Sequence, residues 1–496
     1  MPSPRHAVVI GGSLAGLCAA RVLADHVDRV TVVDRDDFPA GPTVRKGLPQ
    51  AHHLHVLIPA GQLALDRLFP GLMAGLHERG AVPVAAPTEV LYLSPTGWRD
   101  RFPATHRLVG ASRELIDWSL RRWLAEDGRV QFRTGHEVAG LLPATGTQAV
   151  DGGLPPVAGA QAVDGGLPPV AGAREVGGGL PSLAGARAVG GVLVRERSAG
   201  SRLEELAADL VVDASGRASR AADWLEKLGY GRPRESRVES GLAYASRRYT
   251  LPEGATGGWK CILLMPKAPD IRRAGVLLPI ENGKWMVTLG GLGGDVPPTD
   301  EPGFLEFART LRSPVLYEAI KNGTPDSPIH GYRRTANHRR HYESMPHWPD
   351  GFLVVGDAAC TFNPVYGQGM TVAAQAAVQL DEHLRAHPGT FGRAAQAAVA
   401  QCSVAPWQIA TGADLRFPST VGPRPGWSAR LSNWYLDRTA DVGNHDEYVA
   451  RVFADVLYLL APPTALFRPG VAARVLRGRR GPALPDAPAP VGTADK

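Results

Sequence analysis

The first thirty-four residues limit what this chain can fold into more than any other stretch. Ala7-Val8-Val9-Ile10 is a short apolar run of the kind a buried parallel strand needs. It breaks at Gly11-Gly12-Ser13-Leu14-Ala15-Gly16, and Leu17–Ala24 then reads as a helix. Arg29–Asp34 reads as a second strand and closes a βαβ unit. Gly11 permits the tight turn and Gly16 lets helix and strand pack closely. The helix start offers free N–H groups to a pyrophosphate. Ser13 stands where the dinucleotide fingerprint carries its middle glycine, and it is small enough for a phosphate to approach. Asp34 ends the second strand, where a carboxylate accepts from a ribose hydroxyl. The pattern predicts dinucleotide binding through Gly11, Gly12, Ser13, Ala15 and Gly16, with Asp34 and its neighbour Arg35 beyond the second strand.

A second motif lies far along the chain. Phe352-Leu353-Val354-Val355 reads as a buried strand and delivers Gly356-Asp357 to a loop. Asn363-Pro364-Val365-Tyr366-Gly367-Gln368-Gly369-Met370 follows and opens a helix expected to run to Leu384. The N-terminus of that helix could stabilise negative charge on a bound ring system.

Together the two motifs resemble the FAD-dependent monooxygenase superfamily related to aromatic hydroxylases. The resemblance implies that Asp34 and Asp357 grip opposite ends of FAD. It also implies that the loop of Pro364, Gly367, Gly369 and Met370 lies along the isoalloxazine. Two more stretches add to it. Phe38–His55, with Arg45, His52, His53 and His55, resembles the segment after the second strand in polyether-type flavin epoxidases and their bacterial hydroxylase relatives. Ala111-Ser112-Arg113-Glu114-Leu115-Ile116-Asp117 looks like the family's helix start, where the arginine approaches the diphosphate. Arg45 and Arg113 are therefore the cation candidates for phosphate charge. Aromatic hydroxylases carry an Asp-Gly pair after a central strand. Here Leu210–Asp213 leads to Ala214-Ser215-Gly216, a form more like epoxidases, halogenases and isoprenoid reductases. NADPH or NADH, used directly or through a partner flavin reductase, is the implied reductant.

The implied reaction is oxygen transfer from O₂ by reduced FAD to a small organic, secondary-metabolite type of substrate, by epoxidation or hydroxylation. Reduction of isoprenoid double bonds is the alternative. No Trp-x-Trp-x-Ile-Pro stretch occurs, which argues against halogenation, and no Gly-x-Ser-x-Gly elbow supports a serine hydrolase. No dedicated acid or base can be named, because the cofactor carries the hard chemistry. Tyr244, Trp285 and Met286 are candidates either for lining the substrate pocket or for ordinary core packing.

The rest of the sequence sets the frame. Gly 58 and Pro 43 make up about a fifth of 496 residues, below the roughly 25–30% of low-complexity disorder. The charge of +6 comes from scattered residues, so no nucleic-acid stripe stands out. His52-His53-x-His55 lacks a carboxylate or thiol partner at metal-ligand spacing, so no metal is expected. The four cysteines form no CxxC, which fits a reducing, cytoplasmic location. There is no secretory signal pattern, and no apolar run reaches the roughly 18 residues of a membrane span. Gln148–Ala160 is repeated letter for letter in Gln161–Ala173, and Arg174–Ala186 is a diverged third copy. A 13-residue, Gly/Pro-rich period builds no core and reads as an expanded hairpin loop.

The expected architecture is α/β. A Rossmann-like FAD-binding domain is assembled from 1–75, 106–222 and 346–400, with 148–186 as an inserted loop. A mixed or antiparallel sheet from 76–105 and 223–345 forms the substrate domain. Helices and a flexible tail occupy 401–496. An Asn-Gly hairpin is predicted at Asn282-Gly283, between Gly275–Ile280 and Lys284–Leu289.

Overall fold

In the computed structural model, residues 5–144, 188–198, 201–424, 426–478 and 484–488 are described. The 13-residue repeats and most of the tail lie outside them.

Five strands form a fully parallel sheet in the order Phe352–Val354, Leu210–Asp213, His6–Ile10, Arg29–Val33 and Val130–Arg133. Alternate residues of each strand face opposite layers. Ala7 and Val9 pack with the helices Leu14–Leu23, Arg113–Ala125 and Gly369–Ala386. Val8 and Ile10 pack on the other side, against the antiparallel strands His136–Pro143 and Val189–Glu196 and the helix Ala221–Lys227. A sheet covered on both faces favours a continuous apolar run, and His6–Ile10 is buried throughout, with His6 satisfied by the Ala207 carbonyl and the Thr31 hydroxyl. The segment holding the repeats is closed at its ends, where the Ala144 N–H donates to the Ala188 carbonyl at 3.0 Å.

The register places three strand ends side by side. Ile10 pairs with Asp213, and Asp213 with Val354. The glycine turn, the Ala214-Ser215-Gly216 turn and the Gly356-Asp357 turn therefore open on one edge, outside the carboxyl ends of the strands, where α/β sheets bind ligands.

A second, mixed sheet of eight strands is built mostly from 243–332 and takes Val90–Ser94 and Gly97–Trp98 at one edge. Ala245, Ile262, Leu277, Val287 and Leu289 on one face pack on Phe304, Phe307, Leu316 and Ile320 from two helices. Arg273–Pro279 and Trp285–Gly291 pair antiparallel, and Asn282 and Gly283 turn between them at φ 62° and 66°. That is the primed hairpin turn which Asn-Gly favours. Trp285 and Met286 sit in core packing: Trp285 meets Trp259 edge-on at 5.8 Å, and Met286 is buried. Val404–Asp414, Trp427–Gly443, Glu447–Leu457 and Pro469–Arg477 make the C-terminal region helical. No helix among the described residues is long and apolar enough to cross a membrane.

Candidate functional site

The glycine turn is shaped by contact. Gly11 has φ +99°, and a Cβ there would lie 2.7 Å from the Ala214 carbonyl oxygen. A Cβ on Gly16 would lie 1.8 Å from the Gly11 carbonyl oxygen, so no larger residue fits. The helix begins at Leu14, three residues before the sequence pattern placed it. Ser13 is its extended N-cap and makes no side-chain cap. The first-turn N–H groups, Ala15 and Gly16 among them, have no intrahelical carbonyl to bond.

Asp34 is held by its own chain. Its Oδ2 accepts from the Gly12 N–H at 2.6 Å, and its Oδ1 accepts from the Asp36 N–H at 2.8 Å and from Arg45 Nη1 at 3.2 Å. Arg45 also donates to Asp36 and Asp117, both at 3.3 Å, and to the Gly12 carbonyl at 2.9 Å. Burial opposes the charge on Arg45, but Asp117, Asp34 and Asp36 outweigh it and raise the guanidinium pKa. The Phe38 ring lies beneath, 5.0 Å from Arg45 and 4.8 Å from Arg121. Arg45 is thus matched by three carboxylates inside the protein. Arg35 is exposed, and its carbonyl accepts from Arg197 at 3.2 Å.

Arg113 differs. Ser112 caps its helix by accepting the Leu115 N–H at 3.1 Å, which fixes Arg113 in the first turn. The arginine is 5% exposed and donates from Nη2 to Ser13 Oγ at 2.9 Å. Among the described residues its Nε has no partner, and it forms no ion pair within 4.0 Å. Burial pushes its pKa down, partly offset by Asp117.

Asp357 faces the same space. Burial raises its pKa, while Arg217 and Arg113 work the other way. Yet 43% of its side chain stays open to water. A group both walled in and accessible lies on the floor of a groove. Arg217 Nε is 3.9 Å from Asp357, and its other nitrogens hold the carbonyls of Ala336 and Phe362 at 3.3 and 3.1 Å. In the neighbouring turn Asp213 is fully buried, accepting the Ser215 N–H at 2.8 Å and the Ser219 hydroxyl at 2.6 Å. The Ser215 hydroxyl is buried without a partner among the described residues. A small hollow touches Gly356, Asp357 and Gly369 but runs toward Gln396 and Ser403, away from Ser13 and Arg113. The groove is therefore located by its polar groups rather than by that hollow.

The loop after Asn363 is pinned from below. Asp414, in the C-terminal region, accepts from Asn337 at 2.7 Å, from Asn363 at 3.1 Å and from the Tyr366 hydroxyl at 2.8 Å. Gly367 then turns at φ +64°, and Gly369 opens the helix Gly369–Ala386. Pro364 is exposed, Met370 packs on the main core, and the buried Gln368 Oε1 has no partner. Sequence reasoning missed Asp414 and Arg217, since a lone acid in a helix and an arginine after a turn carry no local signal.

The three histidines part company. His53 Nδ1 bonds the Ser246 hydroxyl at 2.8 Å, and Ser246 bonds Thr288 at 2.7 Å. The His53 ring meets Tyr244 at 4.6 Å and Tyr332 at 5.6 Å, both edge-on. His52 stacks on His330 at 3.9 Å, and His55 Nδ1 bonds the His53 carbonyl at 3.0 Å. Burial lowers the pKa of His53 and of His55 to about 3. Among the described residues no group of three or more His, Cys, Asp or Glu could hold a metal. Of the three pocket candidates, Tyr244 is the one that joins this cluster.

One curated relative matches along most of its length. The chain is 30% identical over 446 residues to Protein Rv3254 of Mycobacterium tuberculosis, covering 85% of this chain and 83% of that protein. The chain belongs to the family of Protein Rv3254. No family model matches. Among solved structures, PqsL of Pseudomonas aeruginosa, "a probable FAD-dependent monooxygenase", superposes with a TM-score of 0.54 at 15% identity, over 83% of this chain and 94% of that one. The myxobacterial chondrochloren halogenase CndH, a FAD-dependent halogenase, gives a TM-score of 0.54 at 17% identity, over 88% and 90%. The α/β fold is therefore the one used by FAD-dependent monooxygenases and halogenases.

Proposed function

We propose that this chain is a FAD-dependent monooxygenase that places one oxygen atom of O₂ in a small organic substrate, by epoxidation or hydroxylation. The observation that carries the reading is Arg113. It is a buried guanidinium with no carboxylate partner, reaching from the glycine-turn residue Ser13 toward Asp357. A buried unpaired cation is costly unless an anion joins it. A diphosphate between Ser13 and Asp357 supplies that anion, so the residues fit FAD.

In this reading the first-turn N–H groups and Arg113 hold the diphosphate, Asp34 lies at the adenosine ribose and Asp357 at the ribityl chain. The Pro364–Gly369 loop, braced by Asp414, flanks the ring. Bound FAD, reduced by NADPH or NADH directly or through a partner reductase, supplies two electrons to O₂ so that one oxygen goes to substrate and the other to water. The protein binds, orients and excludes water. Tyr244, Tyr332 and neutral His53 form the wall nearest Asp357 and orient the carbon to be oxidised. The epoxidase-type stretch Arg45–His55 favours an alkene over an aromatic ring as substrate. The division of the chain into FAD-binding, substrate and C-terminal parts, and a cytoplasmic location, belong to the same proposal.

The test is isotopic. Isolated protein, a reductant and a panel of alkenes and aromatics are incubated under ¹⁸O₂. The reading expects one labelled oxygen in a product. A product that gains two hydrogens without oxygen would instead establish the isoprenoid-type reductase, and label arriving only from H₂¹⁸O would overturn oxygen transfer.

A further inference from the structure

Two arginines among the described residues are buried, keep guanidinium nitrogens without a partner, and form no ion pair within 4.0 Å. Arg113 is one, and the diphosphate proposed above answers it. Arg99 is the other, and nothing described so far does. It is 8% exposed, and both its Nε and Nη2 lack partners. An arginine does not escape by losing its proton.

Arg99 follows the edge strand Gly97–Trp98, and its backbone N–H donates to the Tyr92 carbonyl at 3.0 Å. Its guanidinium lies over the Tyr92 ring at 4.5 Å, with Phe453 at 5.8 Å. Aromatic faces hold a guanidinium in place without neutralising it. Arg99 lines a shallow groove together with His106, Glu447, Arg451 and Tyr458. Two nearby acids are engaged elsewhere, Asp455 with His106 at 2.8 Å and Asp100 with His445 at 3.1 Å, and Glu447 lines the same groove but forms no ion pair with Arg99 among the described residues.

Tyr92, whose ring carries the Arg99 guanidinium, heads a row of residues that runs toward the candidate active site. Tyr92 pairs with Leu263, Leu263 with Val276, Val276 with Thr288, and Thr288 with Ser246. Paired residues share a face, so these five make one row across the sheet. Tyr92, Leu263, Val276 and Thr288 all keep part of their surface, whereas Leu91, Ile262, Leu277 and Val287 beside them are buried. The row ends at Ser246, the partner of His53. Four inter-strand spacings make it ~19 Å long.

We infer that Arg99 is an anion-binding residue for the substrate: it takes the carboxylate or phosphate end of an elongated molecule whose other end lies across the sheet at His53. This rests on the proposed function only for what happens at the far end; the anion site itself does not.

The test is calorimetric titration of the isolated protein with octanoate, octyl phosphate and neutral octanol. Either acid should bind more tightly than octanol, and the tighter acid identifies the anion. Arg99→Met should weaken the acid by thirtyfold or so, leave octanol unchanged, and melt no lower than the parent, because it removes an uncompensated buried charge. Arg99→Lys keeps the charge but not the fork and should fall between. Octanol binding as tightly as both acids, no acid binding, or full acid affinity in Arg99→Met would overturn the proposal. Flavin content is read separately. A colourless protein that binds octanoate through Arg99 would keep this site and overturn the functional reading. A yellow protein indifferent to both acids would do the reverse.

Discussion

The two ends of the groove are built on opposite plans. At the end proposed for the adenosine, Arg45 bonds Asp34, Asp36 and Asp117 at 3.2–3.3 Å, so this guanidinium is neutralised within the protein before any ligand arrives. At the ring end Asp357 is 3.9 Å from Arg217, and Arg113, Gln368 and Ser215 carry polar atoms without partners. The first end is tied together by the fold, and in the proposed reading the second is completed by the cofactor. Two acids that look equivalent in the sequence, Asp34 and Asp357, should therefore fail differently when removed.

The largest effect should come from the self-matched end. Asp34→Ala leaves the Gly12 and Asp36 N–H groups without their buried acceptor and should cost about 1–3 kcal/mol for each in urea unfolding of flavin-free protein. An unchanged unfolding midpoint would erase the distinction between the two ends.

The next effects belong to the ring end. Burying neutral His53 sets its folded pKa near 3, against about 6.5 unfolded. A lowered folded pKa gives stability that is full above pH 6.5 and lost as pH falls through that window toward 3. The loss by pH 5 should be about 2 kcal/mol from this residue, and His53→Gln should flatten the slope between pH 6.5 and 5. Equal slopes for variant and parent would remove His53 from the account.

Asp357→Ala should weaken flavin binding by about 1–3 kcal/mol. Its effect on flavin-free protein has the opposite sign to that of Asp34→Ala. The raised pKa of Asp357 means its stability contribution is present in acid and lost as pH rises through the folded value. Asp357→Asn should accordingly melt no lower than the parent at neutral pH. A fall comparable to Asp34→Ala would make Asp357 structural.

The smallest effect should come from deleting Gln148–Ala173, because the loop ends already meet at Ala144 and Ala188. Loop closure changes by about 0.6 kcal/mol per doubling of length. Loss of flavin or a large fall in melting temperature would mean that the repeats pack into the fold.

What could be read in the sequence was local. The glycine turn, Gly356-Asp357, the Pro364–Gly369 loop and the Asn282-Gly283 hairpin each carry their chemistry within a few residues of backbone. Asp34 and Arg113 could be singled out, but not their different surroundings. Arg45 meets Asp117 across 72 positions, and Asn363 meets Asp414 across 51. No spacing rule reaches that far, so Arg45 read as a free cation and Asp414 did not stand out. The histidine run was ambiguous for a related reason. His53 bonds Ser246 and His52 stacks on His330, two paired residues of the second sheet, and which does which depends on strands 190 or more residues later.

The central claim is that Ser13, Arg113 and Asp357 hold FAD, and one measurement reaches it directly. Protein purified without added cofactor is heat-denatured, and the supernatant is chromatographed against FAD, FMN and NAD standards. The account predicts a yellow protein that releases FAD at about one per chain and an Arg113→Met variant that releases little. FMN, NAD or an empty supernatant from the parent would contradict it.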